Sequence, residues 1–460
     1  LALGRHSDDI RDAAGAGAWL EGLINFERDP GFRYERMGLA PIRALLAELG
    51  DPQRDLSIVH VAGSKGKGST ALLLETMLGA LGERVGTFTS PHLESWTERF
   101  RVGGADVDGA TLAAAVRRVR DPVERLRRGE PALRPTFFDA TTAAALLLFA
   151  DAGVDRVVLE VGLGGRLDST NVVDPAVTCI TTIELEHTDK LGDTLTAIAG
   201  EKAGILKPGV PGVVGRLPEE AWAVVQSRAA AVGAPLFAMG RDFDVKVSPP
   251  LPGDRGVELR YGDADGADVS ARLPLLGAHH ALNAGLALAC IRRLAPDDSD
   301  RPGRAAAGLA AARLPGRVEV VGECPLRIVD GAHTAASARA LASALDGLPA
   351  SRRHWLLSVS AGKDLDALLD AVLPGAHHVT VTRADPHRSL DPAALAAAVR
   401  SRADAATRVH VEPDPGRAAA GAVERAGAED LLVATGSVYL AGIARSLWSA
   451  RAPSDRGASS

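Results

Sequence analysis

The chain has 460 residues, 46% of them apolar and 4% aromatic, and a formal net charge of −6. That length holds two or three domains, and that apolar content is enough for sizeable cores. A mildly acidic chain with no long Lys/Arg run excludes a broad nucleic-acid surface. Its three cysteines, Cys179, Cys290 and Cys324, fit neither a disulfide framework nor a structural zinc site.

The opening LALGRHSDDIRD lacks the apolar core of a secretory signal. The longest apolar run, AAALLLFA at 143–150, is too short to span a membrane. A soluble protein of a reducing cytoplasm is expected, with a disordered tail over 451–460. SIVHVAG reads as a strand and TALLLETMLGALG as the helix after it. RVGTFTS is the next strand, TTAAALLLFADAG a helix, and DRVVLEVG and AVTCITTI two buried strands. This alternation predicts a doubly wound α/β domain. Residues 211–275 read differently, because DFDVKVSP, GVELRYGD and DVSARLPL alternate apolar and polar like a small antiparallel accessory sheet. HHALNAGLALACIRRL is helical, and DDSDRPGRAAAG reads as the approach to a domain junction. After residue 314 strands and helices alternate again, from RIVDGAH to DLLVATG. The expected fold is therefore α/β with two domains, 1–313 and 314–450.

Several clusters carry chemistry. VHVAGSKGKGST, 59–70, lies between a predicted strand and helix, where a phosphate loop belongs, yet departs from G-x-x-x-x-G-K-[ST]. Lys67 is followed by Gly68, and Ser69 comes one step late. Gly63, Gly66 and Gly68 let backbone N–H groups turn toward an anion, and a helix N-terminus behind them favours negative charge. Lys67 reaches outward, with Ser69 or Thr70 free for a metal or phosphate. In TSPHLESWTERF, 89–100, Ser90 and His92 stand where the sheet's carboxyl edge should be, although alone this is an ordinary loop. Glu160 closes a strand before the Gly-rich LEVGLGGRLDSTN and is either a Mg²⁺ ligand or a solvated rim carboxylate. His187 and Lys202 lie in ELEHTDKLGDTLTAIAGEKAGILKPG, where each alone reads as a structural or surface residue. In the second domain Arg317, Asp330 and His333 could hold a ribose and phosphates or simply make turns.

Taken in order, VAGSKGKGST, TSPHL, EVGLGGRLDSTN, EHTDKLGDTLTAIAGEKAGILKPGVP, LLGAHHALNAGLALA, LPGR, DGAH and TGSVYLAG resemble the folylpolyglutamate synthase/dihydrofolate synthase family, a branch of the Mur ligase superfamily, from about residue 20 to 448. The family's loop, G-x-x-G-K-[GST]-[ST], is matched by GSKGKGS. The resemblance implies an N-terminal P-loop-type ATPase domain with a small accessory sheet and a C-terminal Rossmann-like domain. It implies ATP at Gly63, Ser64, Lys65, Gly66, Lys67, Gly68, Ser69, Thr70, Asn283, Arg317, Asp330 and His333, the site being completed by domain closure. It implies two Mg²⁺ sites drawn from Ser90, Glu160, His187 and a carbamylated Lys202, with a monovalent cation as a further candidate. Lys67, His187 and Lys202 are the implied catalytic set. Thr136, Phe138, Asp168 and Ser169 match the region that receives the pterin in the bacterial bifunctional enzymes.

The implied activity is ligation of L-glutamate to dihydropteroate, to folates, or to both through an acyl phosphate, by a cytoplasmic monomer. Alternatives are a divergent ligase of another carboxylate and a P-loop ATPase without ligation. The chain departs from the family pattern at Glu186 (commonly Asp), His280 (commonly Gln) and Thr334 (commonly Asn); Lys65 replaces a frequent Asn, but lysine also occurs there in the family.

Overall fold

The structure is a computed structural model describing residues 10–25, 34, 37–248 and 254–449. Its first sheet holds β1 (Ile58–Ala62), β2 (Val85–Phe88), β3 (Phe100–Val102), β4 (Ala105–Asp106), β5 (Arg156–Glu160), β6 (Val177–Ile180), β7 (Gly212–Val214) and β8 (Leu236–Ala238). Their order is β4-β3-β2-β5-β1-β6-β7-β8. The neighbouring strands from β2 to β8 run parallel, and β3 and β4 are added antiparallel at one edge. All five residues of β1 are buried, as a strand covered on both faces requires. The chain leaves β1 for β2 on one side and later fills the other side with β6. The carboxyl end of β1 is thus a topological switch point, where such sheets bind ligands.

One apolar cluster packs the helices Ala13–Glu21, Ala40–Glu48, Gly109–Arg128 and Phe137–Asp151 on this sheet. Another is built with the helices Leu195–Ala203 and Glu219–Val232. The helix Phe137–Asp151 starts at Thr136, whose hydroxyl caps Asp139 N–H while the Asp139 carboxylate accepts the Thr136 N–H, a reciprocal capping box.

The accessory sheet consists of β9 (Phe243–Ser248), β10 (Val257–Asp263) and β11 (Asp268–Leu273), in the order β11-β10-β9. It begins some 30 residues later than expected. Within 211–242, β7, the helix Glu219–Val232 and β8 extend the main sheet instead. Strands of three residues are too short to show a period. The stretch DDSDRPGRAAAG does end close to where the first unit gives way to the second, at 312/313, but it is folded: Arg301–Ala306 is helical, and a Cβ on Gly308 would come within 2.6 Å of the Thr76 carbonyl.

Two compact units emerge. Of the described residues, the first takes those up to 247, 259–272 and 281–312, and the second takes those within 248–258, 273–280 and 313–449. In the second, β12 (Glu319–Glu323), β13 (Leu326–Val329), β14 (Arg353–Leu357), β15 (His378–Val381), β16 (Arg408–Val411) and β17 (Leu431–Thr435) form a sheet in the order β12-β13-β17-β14-β15-β16. It is parallel apart from β12, an edge strand the sequence reading missed. Among the described residues no helix is long and apolar enough to cross a membrane. The expectation of a disordered tail over 451–460 falls outside the described residues.

Candidate active site

The loop GSKGKGS joins β1 to the helix Lys67–Ala80 and adopts a cradle. Gly63 has φ 148° and Gly66 φ 83°. A Cβ on Gly63 would lie 1.9 Å from Thr181 Oγ1, and one on Gly66 2.5 Å from Asn283 Oδ1. Only glycine satisfies both the backbone and the neighbours there. Gly66 is also the helix N-cap, so no side-chain acceptor occupies the first amides, and these remain available to an anion.

The loop is bolted to the end of β6. Ser64 N–H donates to the Thr182 carbonyl at 2.8 Å and Lys65 N–H to Thr182 Oγ1 at 2.9 Å. The Lys65 carbonyl accepts from Thr181 Oγ1 at 2.6 Å and Thr182 Oγ1 at 3.3 Å. Ser64 Oγ accepts from Glu184 N–H at 2.9 Å. The sequence reading overlooked Thr181 and Thr182, although two hydroxyls at a strand's carboxyl end were a visible signal.

Around this cradle the predicted side chains converge. Lys67 Nζ donates to the Gly63 carbonyl at 2.8 Å, and Lys202 Nζ donates to the same oxygen at 3.0 Å. Lys202 is 1% exposed and pairs with Glu186 Oε1 at 3.0 Å, while Lys65 reaches Glu186 Oε2 at 3.3 Å. Burial alone would raise the Glu186 carboxyl, but Lys67, Lys202, Lys65 and His187 outweigh it and bring it down to about 2. Burial lowers the Lys202 ammonium to about 8, with Glu186 opposing and the neighbouring lysines assisting. His187 sits next to Glu186 with φ 46°, unusual for a residue with a side chain and common at functional sites.

Glu160, 4% exposed, accepts from Ser90 N–H at 3.0 Å. A Cβ on Gly68 would lie 3.2 Å from its Oε2, so the carboxylate faces the start of the loop helix. The register Val61↔Glu160 puts it beside β1's end. His92 instead accepts from Arg99 Nε at 2.9 Å and packs on Trp96 at 4.8 Å between ring centres.

Thr136, Phe138, Asp168 and Ser169 are also brought together, around a residue that was not predicted. Asp139 accepts from Ser169 Oγ at 2.7 Å and from Thr136 Oγ at 2.7 Å. The Phe138 ring covers Gly162, where a Cβ would meet it at 2.4 Å. Asp168 and Ser169 are buried. Asp168 accepts from Leu163 N–H at 2.9 Å and Thr170 N–H at 3.0 Å, so it shapes the Gly-rich loop from inside. Thr136 and Phe138 are the half-exposed members. Thr170 donates to Asp168 and therefore accepts from His60 Nε2 at 2.8 Å, which continues the polar chain into β1.

In the second unit Asp330 accepts from Val318 N–H at 2.8 Å and Ala332 N–H at 2.7 Å, and Arg317 lies against Gly331. His333 Nδ1 donates to the Gly331 carbonyl at 2.8 Å. Val318, a β-branched residue, has φ 49°. Thr334 caps the helix Ala335–Leu345, which accounts for its hydroxyl. His280 is fully buried with its ring 4.0 Å from that of His279.

The family model described as the Mur ligase middle domain matches residues 61–291, and that of the Mur ligase glutamate ligase domain matches 316–438. The dihydrofolate synthase/folylpolyglutamate synthase of Mycobacterium tuberculosis is 35% identical over 447 residues, covering 89% of this chain and 90% of that protein. A probable bifunctional folylpolyglutamate synthase/dihydropteroate synthase of Haloferax volcanii is 37% identical over 432 residues, covering 92% of this chain and 50% of that protein. This chain thus spans about half the length of the haloarchaeal relatives it matches. Among solved structures, Mycobacterium tuberculosis folylpolyglutamate synthase complexed with ADP superposes with a TM-score of 0.84 at 33% identity, covering 96% of this chain and 99% of that one. Escherichia coli FolC in complex with DHPP and ADP gives 0.82 at 30% identity, covering 96% and 98%.

Proposed function

The chain belongs to the folylpolyglutamate synthase/dihydrofolate synthase family of Mur ligases, and from that membership we propose that it is an ATP-dependent amide ligase. It joins L-glutamate to dihydropteroate, to the γ-carboxylate of folates, or to both, releasing ADP and phosphate. The observation that carries this reading is the convergence of Lys67 and Lys202 on the Gly63 carbonyl, at the carboxyl end of β1.

A carboxylate resists attack by an amine because its leaving group would be an oxide. Transfer of the γ-phosphoryl group to a carboxylate oxygen, with ADP departing, makes an acyl phosphate. The glutamate amine then attacks the acyl carbon, phosphate leaves, and the amine gives up a proton. Lys67 released from the Gly63 carbonyl, together with the uncapped amides of its helix, would meet the charge that builds on the transferring oxygens.

Glu160, with Ser90 held beside it through the Ser90 backbone N–H, would hold a Mg²⁺ ion brought by the nucleotide, since such an ion needs only one or two protein carboxylates. Bound there it supplies positive charge to the phosphates. His187 and Lys202, the latter as a carbamate, are the candidates for a second cation. A lysine lowered to about 8 offers the neutral amine that carbamylation requires. The reading takes the chain to work as a cytoplasmic monomer, in keeping with three free cysteines.

The test is ADP release from MgATP with L-glutamate and either dihydropteroate or tetrahydrofolate, with mass spectrometry of the products. One glutamyl residue gained by dihydropteroate establishes the synthase. Extension of tetrahydrofolate decides whether both reactions occur. Glutamate-dependent ADP release with neither product would refute the folate assignment and point to another carboxylate.

A further inference from the structure

The turn that carries Arg317 is held from behind by a carboxylate to which the nucleotide reading gives no role. Arg317 N–H donates to the Leu314 carbonyl at 3.1 Å, which closes a four-residue turn with Pro315 second and Gly316 third, and Gly316 has φ 63°. That is the pattern of a type II turn. Glu319, the first residue of β12, reaches back so that its Oε2 accepts the Gly316 N–H at 2.8 Å. The same carboxylate accepts from Arg445 Nε, at 3.1 Å on Oε1 and 2.9 Å on Oε2. Arg445 stands on the helix Val438–Ser449, whose Leu440, Ala441, Ala444 and Trp448 are buried. Resting on the reading of Arg317 as a nucleotide contact, we infer that Glu319, braced by Arg445, is a positioning residue that presets Arg317 for the phosphates.

The backbone shows why a brace is needed. Val318 follows Arg317 at φ 49°, a left-handed conformation that a β-branched side chain resists. Such a residue stays there only when its surroundings over-determine it. Two carboxylates do so, one on each side of Arg317: Asp330 Oδ2 accepts the Val318 N–H at 2.8 Å, and Glu319 takes the Gly316 N–H. The Gly316 carbonyl is fixed as well, by the Gly331 N–H at 2.9 Å, and Arg317 Nη1 donates to that same oxygen at 3.1 Å. The guanidinium therefore takes its direction from the Gly316 backbone. A Cβ on Gly331 would lie 3.0 Å from Arg317 Nη1, so the guanidinium sits close over Gly331, two residues from His333. Without Glu319 the turn keeps one clamp of two, Val318 relaxes toward the extended region, and the Arg317 side chain loses its preset direction. The Glu319 and Arg445 side chains are 22% and 32% exposed, so their ion pair by itself adds little to stability. What the pair adds is direction, because it ties the Arg317 turn to a helix anchored in the core of the same unit.

The experiment is a double-mutant cycle of Glu319→Ala, Arg317→Ala and the combined variant, with Glu319→Gln and Arg445→Met alongside. It is read by calorimetric binding of MgADP and of a non-hydrolysable MgATP analogue, and by thermal unfolding. Arg317→Ala should weaken analogue binding about tenfold, the size of one charge-assisted hydrogen bond. Glu319→Ala should weaken it about fivefold, and the combined variant should bind within about twofold of Arg317→Ala, because a carboxylate acting through Arg317 then has nothing left to act on. Glu319→Gln keeps an oxygen for the Gly316 N–H and should lose less than Glu319→Ala. Arg445→Met, at a half-exposed position, should weaken binding about threefold, and it takes the place of Glu319→Ala in the cycle if that variant does not fold. Losses that multiply in the combined variant would overturn the inference. So would unchanged binding in Glu319→Ala with a lowered unfolding temperature, which marks a purely structural contact, and so would unchanged binding in Arg317→Ala. An unmodified chain that binds neither nucleotide would refute the nucleotide reading and the inference with it. One that binds both but makes no glutamyl product refutes the ligase reading alone, and the cycle still decides the role of Glu319.

Discussion

Replacing Asp139 by alanine tests the proposed pterin-side architecture most directly. The carboxylate accepts from Thr136 N–H at 2.8 Å, Thr136 Oγ at 2.7 Å and Ser169 Oγ at 2.7 Å, and it is 3% exposed. Removing it opens the capping box at the start of the helix Phe137–Asp151, which costs about 1 kcal/mol. It also leaves the buried Ser169 hydroxyl without that acceptor, at about 2 kcal/mol. The first unit should therefore lose about 3 kcal/mol, the sum of these two terms. Asp139→Asn keeps one acceptor oxygen and should lose roughly half as much. Denaturant unfolding followed by tryptophan fluorescence measures this, because Trp96 packs edge-on to Phe137 at 5.7 Å. Steady-state kinetics give the functional arm. The KM for the pterin substrate should rise about tenfold, roughly 1.4 kcal/mol, while that for MgATP stays within about twofold, because no phosphate-loop bond involves Asp139. A loss of stability below about 1 kcal/mol, or equal changes in both KM values, would refute the hub role.

Three further outcomes are expected. Lys67→Ala should lower kcat by about 10²–10³, the size seen when one charge-stabilising donor is removed, with the unfolding midpoint little changed. A midpoint shift that accounts for the lost turnover would remove Lys67 from the chemistry. Burial raises the Asp168 carboxyl from 3.8 to about 6 even though Thr170 and Leu163 donate to it. A raised carboxyl favours the folded state when protonated, so its contribution is present below pH 4 and is lost as pH rises through 6. At about 1.4 kcal/mol per unit the difference approaches about 3 kcal/mol. Relative to Asp168→Asn, the unmodified chain should thus lose stability between pH 4 and 7.5, and a pH-independent difference would contradict the shift. Thr334→Ala should cost about 1 kcal/mol as a lost helix cap, whereas Thr334→Asn should be nearly neutral in denaturant melts. The reverse order would point to a role beyond capping.

Much of the site was legible because short segments determine it. A strand, three glycines, Lys67 and a following helix are contiguous, so the cradle of Gly63–Ser69 could be read from spacing and local chemistry. Glu160 was legible for the same reason, as the polar end of an apolar strand. Helix and strand alternation gave the two α/β units, because periodicity survives wherever an element is longer than its own repeat. It failed at the three-residue strands β7 and β8, and at the helix Arg301–Ala306, whose polar, Gly- and Pro-containing sequence resembles a linker.

Pairing was a matter for the tertiary structure. Glu186 lies 121 residues from Lys65 and 16 from Lys202, and no local pattern says that one carboxylate serves both. Asp139 looked like the third residue of a helix, and only folding brings it within 2.7 Å of Ser169, 30 residues on. The sequence by itself marked Gly63–Ser69 and Glu160 as candidates for phosphate and metal, because those demands are local: a backbone that turns, a helix end, a charge at a strand end; His187 and Lys202 became candidates only through the family resemblance. Which charges neutralise each other, which carboxylates are buried, and hence which can still face a ligand, was decided by the packing of β1, β5 and β6, since burial and charge pairing are properties of neighbours in space.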